Sequence, residues 1–194
     1  MTGVAGPLLR NTRTRARGVR FLIGLAIGGA AGGAVLAVPV YLLGRLLQPL
    51  PIWVRLTLLA AVCVLLAVAD FTQRTPHIWR QVPQSLVNKL PSGSLGLAWG
   101  FDLGLLFTTQ KTTSMVWVAM AALVLLEPSL AAAVLIGVSV VATLVMAAMS
   151  VTEGADYRTS LNFWSKKWLK HVRWGSAVVI VAVTAVTVAQ AFAQ

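Results

Sequence analysis

The chain has 194 residues, of which 58% are hydrophobic and 11% charged, and its formal net charge is +11. A soluble globular domain carries about 25% charged residues, so this sequence has too little polar surface to enclose a core in water. We therefore predict an all-α integral membrane protein, a bundle of apolar helices that cross a lipid bilayer. The lysines and arginines flank apolar segments and form no stripe on a polar domain, which argues against nucleic acid as a partner.

The amino-terminal 20 residues carry five arginines and no acidic residue. The apolar run that follows, residues 21–47, is far longer than the apolar core of a signal peptide, which has about 7–15 residues. We therefore interpret residues 21–47 as a retained first span. Residues 1–20 are then a basic cytoplasmic segment, and residues 21–194 form a single transmembrane helical domain.

Apolar segments and the breaks between them predict about five spans. Pro76, Pro83 and Pro91 exclude a long helix after the second span. Five crossings place 13 of the 16 lysines and arginines on one side, which the positive-inside rule assigns to the cytoplasm. The sequence thus predicts a multi-pass protein of a bacterial inner or plasma membrane, with its amino terminus in the cytoplasm. The predicted spans are residues 21–47, 52–71, 94–126, 129–150 and 174–192.

The third apolar segment, residues 94–126, is too long for one plain span. An unbroken helix of this length would reach about 50 Å, against about 30 Å of hydrocarbon. Its middle, residues 108–114, is polar and includes Lys111. Broken helices of this kind often hold the substrate or ion site of a transporter, so we predict a polar path here.

Five polar side chains are candidates for this path. On a helix, Asp102 lies about 180° from Lys111 around the axis, so the two cannot pair unless the helix breaks between them. Three alternatives stay open: a tight turn at Lys111, a backbone or hydroxyl partner for Asp102, and an ordinary interfacial role for Asp70. The candidates are Asp102, Thr109, Lys111 and Thr113 in the third segment and Asp70 near the cytoplasmic end of the second.

Two segments carry glycine at every fourth residue. This spacing lets helix backbones approach closely, so it favours helix packing over chemistry. Residues 24–32 match residues 96–104 at five of nine positions, and the same offset of 72 carries the second span onto the fourth. The match favours a duplicated two-helix unit whose parallel copies pack glycine face to glycine face. The glycines are Gly24, Gly28 and Gly32 in the first span and Gly96, Gly100 and Gly104 in the third.

Residues 157–173 have the pattern of an amphipathic helix. Tryptophans on one side and basic residues on the other predict a helix at the membrane interface, in contact with anionic lipids. A helix that docks on another protein is the alternative. The interfacial residues are Trp164, Trp168, Lys166, Lys167, Lys170 and Arg173.

Residues that could carry catalysis or hold a cofactor are scarce. Cys63 is the single cysteine, which excludes an intrachain disulfide, and its apolar surroundings indicate a small buried side chain. His77 and His171 have no second ligand at a recognisable spacing, so we expect no metal and no cofactor. Because histidines and carboxylates are few and unclustered, we do not expect an enzyme.

Two resemblances add to this interpretation. The chain resembles a group of short actinobacterial polytopic membrane proteins of unassigned function, and the glycine-rich half-helix followed by a polar break, residues 96–120, is similar to cytochrome c biogenesis and DsbD-type transmembrane proteins. In the latter family the break holds a proline-flanked cysteine, whereas residues 107–111 here contain neither. That resemblance implies a scaffold without dithiol electron transfer, and its inverted repeat conflicts with the parallel repeat expected above. The actinobacterial resemblance is carried by Arg80-Gln81-Val82-Pro83, Trp99-Gly100, Leu103-Gly104, Phe107-Thr108-Thr109 and Trp117-Val118.

The polar break favours a small transporter-like or channel-like protein for a small solute or ion. The alternative function is a non-catalytic subunit or assembly factor of a larger membrane complex, which the glycine faces and the short chain favour. The expected partners are the lipid bilayer and either further copies of the chain or other membrane subunits.

Overall fold

A computed structural model describes residues 15–72, 74, 90–106, 113–152 and 166–192. These residues form six α-helices and one turn of 3-10 helix, Pro128–Leu130, with no strand among them. The predicted all-α class is confirmed, and so is the break in the third segment, because one helix ends at Gly104 and the next begins at Met115. The helices are α1 (Arg15–Leu47), α2 (Ile52–Phe71), α3 (Ser92–Gly104), α4 (Met115–Leu125), α5 (Ala131–Thr152) and α6 (Lys166–Phe192).

Three helical segments within the described residues are long and apolar enough to cross a membrane: Arg15–Leu47, Ile52–Phe71 and Pro128–Ala148. Large apolar side chains point outward along them, and Leu46, Leu65 and Val141 are each at least 60% exposed. Apolar faces of this extent are not stable in water, whereas in a bilayer they meet lipid tails. The chain is therefore an integral membrane protein, while the crossings predicted for the remaining segments stay predictions.

The final helix differs from the sequence interpretation in one respect. The sequence predicts an interfacial helix over residues 157–173, of which residues 157–165 lie outside the described part of the chain, and a separate span over residues 174–192. The structure has one continuous helix, α6, from Lys166 to Phe192. Gly175 lowers helix propensity there by about 1 kcal/mol, but no proline interrupts the run, so the helix continues from the basic segment into the apolar one.

The chain divides into two compact units. The first unit contains the larger, amino-terminal part of α1 together with α3 and nearly all of α5, from Met1–Leu36, Trp79–Thr109 and Ala133–Trp164. Its core joins α1 and α3 through a cluster that includes Phe21, Leu25, Trp99 and Leu103. The Phe21 and Trp99 rings meet edge to face at a centroid distance of 5.9 Å, a favoured aromatic geometry.

The second unit contains the rest of α1 together with α2, α4 and α6, from Ala37–Ile78, Gln110–Ala132 and Ser165–Gln194. Its core is a cluster of Leu59, Cys63, Ala67, Leu125 and Ile180. Cys63 is fully buried and shares a side-chain hydrogen bond with Thr184 of α6. The predicted buried environment of Cys63 is thus observed, and the antiparallel packing of α2 on α6 explains it.

Candidate functional site

The most deeply buried charged group that the structure describes is the carboxylate of Asp70, one residue before the end of α2. Its residue is 0% exposed, and three hydrogen-bonding groups of the second unit surround it. The Ser114 amide lies 3.1 Å from Oδ1 and 2.9 Å from Oδ2, and the Ser114 hydroxyl donates to Oδ1 at 2.7 Å. The Ser176 hydroxyl donates to Oδ2 at 2.8 Å. Asp70 therefore links α2 to the start of α4 and to α6.

Ser114 occupies the N-cap position of α4, and this explains why a carboxylate binds there. Helices begin with backbone N–H groups that have no partner within the helix, and their dipole favours negative charge at that end. Serine at this position usually accepts a hydrogen bond from its own helix, but Ser114 makes no such cap bond. Its hydroxyl instead donates to Asp70, so the carboxylate of a neighbouring helix caps α4.

The third partner, Ser176, lies on the face of α6 that packs on α2. Ser176 is 4% exposed and Ala177 is 5% exposed, whereas Val178 on the outer face is 69% exposed. Two residues before Ser176, the Trp174 ring stacks on Phe71 at a centroid distance of 5.3 Å. These contacts fix α6 against the end of α2 that carries Asp70.

The donors around Asp70 determine what the site can do chemically. A hydrogen bond to a charged group contributes about 1.5–3 kcal/mol to stability, so the three donors offset much of the cost of burying the carboxylate. Serine hydroxyls rotate, and each can accept as well as donate. The arrangement can therefore hold a proton on Asp70, or present carboxylate and hydroxyl oxygens to a small hard cation.

The structure places the other candidates for the polar path as follows. Thr113 is half-buried and directly precedes Ser114, so it adjoins the Asp70 site in the second unit. Asp102 is 6% exposed on α3 in the first unit. Thr109 and Lys111 lie outside the described residues. The structure thus associates Thr113 with Asp70, and the path predicted through the other three residues stays a prediction.

The two glycine series lie against each other in the first unit. A β-carbon on Gly28 would meet the Leu97 carbonyl oxygen at 2.2 Å, and one on Gly100 would meet the Leu25 carbonyl oxygen at 2.1 Å. Both distances are far below a van der Waals contact, so only glycine permits this approach. The remaining β-carbon positions meet backbone oxygens at 2.1–2.4 Å, pairing Gly24 with Gly93, Gly96 with Phe21, Gly32 with Phe101 and Gly104 with Gly29.

These contacts are reciprocal. Gly28 faces the carbonyl three positions before Gly100, and Gly100 faces the carbonyl three positions before Gly28. The other two glycine pairs follow the same rule, so α1 and α3 are parallel helices related by a local two-fold axis. The register pairs residues 72 positions apart, which is the offset of the internal sequence match. The sequence match and the helix contacts have the same register, and this agreement supports the proposed duplication of this helix.

The predicted interfacial residues fall at the start of α6. Lys166, Lys167 and Trp168 lie in its first turn, and Trp164 is outside the described residues. Lys170 is exposed, and its ammonium lies 5.0 Å from the centre of the Trp174 ring, within cation–π range. Arg173 is half-buried. Since Trp174 stacks on Phe71, Lys170 is at the same end of the second unit as Asp70.

Sequence reasoning missed Ser114 and Ser176 as functional candidates. Ser114 is 44 residues from Asp70 and Ser176 is 106 residues from it, so no local pattern links the three. One available signal was the position of Ser114 before an apolar run, which is typical of a helix start. A helix start buried in a membrane protein needs an acceptor nearby, and Asp70 was among the few available acids.

Comparisons with known proteins assign no family to the chain. No protein-family model, curated protein or solved structure matches it. Function is therefore argued from the geometry around Asp70.

Proposed function

We propose that this chain is a small transporter-like or channel-like membrane protein in which Asp70 is the ion-handling group. One observation carries the proposal: a fully buried carboxylate lies in a membrane-spanning helix at the N-terminal end of an 11-residue helix, α4. Ionisable side chains within membrane helices are costly, and they commonly mark ion or proton pathways.

The position of Asp70 supports this role. In transporters with broken helices, half-helices direct their ends at charged substrates or coupling ions. Here the amide at the start of α4 points at Asp70, and two hydroxyl groups also donate hydrogen bonds to it. A bound proton or cation would neutralise the carboxylate and so weaken its hydrogen bonds to Ser114 of the α4 N-cap and to Ser176 of α6. Ion binding would in this way couple to movement of these helices relative to α2.

Ion flux in proteoliposomes tests the proposal. We expect purified protein to conduct or exchange protons, Na⁺ or K⁺, and we expect Asp70→Asn to lower that flux at least about tenfold. Ser139→Ala is the matched control, because Ser139 is also 0% exposed and donates a hydrogen bond to the Gly104 carbonyl in the first unit. Size-exclusion chromatography and circular dichroism establish that both variants fold. Unchanged flux in a folded Asp70→Asn protein would refute the role of Asp70.

The same purified protein distinguishes a transporter from the alternative function, a non-catalytic subunit or assembly factor of a larger membrane complex. A transporter purifies in mild detergent alone or as copies of itself, whereas a subunit brings a stoichiometric partner that mass spectrometry identifies. No flux of any of the three ions, together with such a partner, would replace the proposed function with the alternative.

A further inference from the structure

A second polar site lies in the second unit, at the opposite end of α2 from Asp70. It is a cavity of about 270 Å³ at the turn that joins α1 to α2 and at the turn that follows α4. Its polar lining combines two guanidinium groups, one carboxylate and three neutral hydrogen-bonding groups. The residues concerned are Tyr41, Arg45, Gln48, Arg55, Glu127 and Ser129.

Arg55 is fixed in the cavity wall. Its Nη1 donates to the Leu125 carbonyl oxygen at 3.2 Å, which satisfies an unpaired acceptor at the end of α4. Its Nε is buried and has no hydrogen-bond partner among the described residues. A guanidinium has five N–H donors, and a buried donor without an acceptor costs about 1–3 kcal/mol. The buried Nε is shielded from the cavity, and the remaining Nη N–H groups of Arg55 are the donors that this residue can offer to a ligand in the cavity that it lines.

Arg45 and Glu127 supply the other two charges. Arg45 is exposed, and it forms no ion pair or hydrogen bond with any residue that the structure describes. Glu127 is exposed too, and its carboxylate accepts a hydrogen bond from the Ser129 hydroxyl. Two guanidinium groups recognise phosphate well, and the carboxylate beside them favours a ligand that also carries an ammonium group.

The location of the cavity identifies the source of such a ligand. Next to the cavity, Trp53 is 63% exposed and Leu46 is 73% exposed, so the apolar surface of the helices reaches it. Exposed tryptophan beside polar helix ends is typical of the headgroup level of a bilayer. The charge distribution predicts that this end faces away from the cytoplasm, where basic residues are disfavoured. Binding to a lipid phosphate would explain why two arginines lie at an end where basic residues are disfavoured.

We propose that this cavity binds the phosphoethanolamine headgroup of a phospholipid. The phosphate lies against Arg45 and Arg55, and the ammonium lies against Glu127. Each charge of the headgroup then lies against an opposite charge, and the two guanidiniums, one carboxylate, one phosphate and one ammonium together leave a single net positive charge. The proposal is independent of the role of Asp70, because the two sites are at opposite ends of α2.

Native mass spectrometry of the delipidated protein tests this site. The probes are phosphatidylethanolamine, phosphatidylglycerol and phosphatidylcholine with identical acyl chains. We expect phosphatidylethanolamine to bind at least about tenfold more tightly than the other two, because only its headgroup offers both a phosphate and an ammonium with N–H donors. Equal binding of all three lipids, or preference for phosphatidylglycerol, would overturn the proposal.

Variants of the charged side chains test which of them binds the phosphate and which binds the ammonium of the headgroup. Arg45→Gln should lower phosphatidylethanolamine binding at least about fivefold without loss of fold, since Arg45 makes no hydrogen bond or ion pair with the described residues. Glu127→Gln should abolish the preference for phosphatidylethanolamine over phosphatidylglycerol. Arg17→Gln, an exposed arginine of α1 in the first unit, is the control and should bind as the parent does. Equal losses in Arg17→Gln and Arg45→Gln would show non-specific charge attraction and overturn the site.

A phosphoethanolamine group can come from a phospholipid or from a soluble molecule. Competition by free phosphoethanolamine distinguishes these two sources. We expect it to compete only at millimolar concentration, because the acyl chains of the lipid add contacts with the apolar helix surface. Competition at the same concentration as the lipid would mean that a soluble ligand occupies the site, and would overturn its assignment to the bilayer.

Discussion

The carboxylate of Asp70 accepts hydrogen bonds from both the backbone amide and the hydroxyl group of Ser114, 44 residues further along the chain. An amide at a helix start and a carboxylate at a helix end are each unfavourable when buried without a partner. Together they satisfy each other and position α4 against α2. The ion-handling role proposed for Asp70 therefore depends on a bond that also holds the second unit together.

Replacing Asp70 should show how much its hydrogen bonds stabilise the second unit. Asp70→Ala removes the acceptor of three donors, and we expect a loss of about 3 kcal/mol or more in unfolding free energy because the Ser114 amide stays buried without a partner. Asp70→Asn keeps one acceptor oxygen and should lose about half as much. Denaturation in mixed micelles monitored by circular dichroism measures both. Equal stability of the parent and Asp70→Ala would contradict the bonding described here.

The hydrogen bond from Ser176 should be measurable by itself. Ser176→Ala removes one hydroxyl donor to a carboxylate, and we expect it to cost about 1.5–3 kcal/mol. Thr57→Val is the control, because the Thr57 hydroxyl is exposed and donates only to the Trp53 carbonyl in its own helix. The control should change the unfolding free energy by less than about 0.5 kcal/mol. Similar values for the two variants would argue against a carboxylate partner for Ser176.

The glycine contacts predict a selective effect of alanine. Gly100→Ala places a methyl group 2.1 Å from the Leu25 carbonyl oxygen, so α1 and α3 must separate, at a cost of about 1–3 kcal/mol. Gly137→Ala on α5 meets no atom within 4 Å and should gain up to about 1 kcal/mol from helix propensity. The midpoint of thermal unfolding in detergent compares the two. A stabilised Gly100→Ala protein would exclude close packing of α1 and α3.

Periodicity and composition were enough to predict much of the fold. The apolar runs predicted α1 and α2 nearly to their ends, because a membrane helix must satisfy its backbone internally over its whole length. The glycine spacing pointed to a close helix contact for a similar reason, since only glycine allows backbones so near each other. Both signals are local in sequence and need no knowledge of tertiary partners.

The end of α3 shows where such signals fail. The polar run at residues 108–114 suggested a break there, but α3 ends earlier, at Gly104. Leu106 then adopts a left-handed conformation with φ 56°, which usually favours glycine and costs a leucine about 1–2 kcal/mol. Its side chain is 2% exposed, so burial offsets the strain. A helix end that is imposed by tertiary burial leaves no pattern in the local sequence. The hydrogen-bond partners of Asp70 leave none either, because they are distant in the chain.

The position of Ser114 also places the start of α4 beside the end of α2. The chain leaves α2 at Phe71, next to Asp70, and α4 begins at Ser114, which is bonded to that same residue. Phe71 and Ser114 therefore lie at the same end of α2. From that end α4 runs back along α2, because its last turn lies beside Arg55, whose guanidinium donates to the Leu125 carbonyl.

This topology predicts which residues are accessible from each side. In the parent chain Cys63 is fully buried and serves as the unreactive background. Thr72→Cys and Thr113→Cys should react with a membrane-impermeant maleimide from the same side of sealed vesicles. Ser129→Cys, at the far end of α4 where Arg55 bonds to the Leu125 carbonyl, should react from the other side. If Thr113→Cys instead labels together with Ser129→Cys, the two ends of α4 lie on one side and the arrangement of α4 along α2 described here is contradicted.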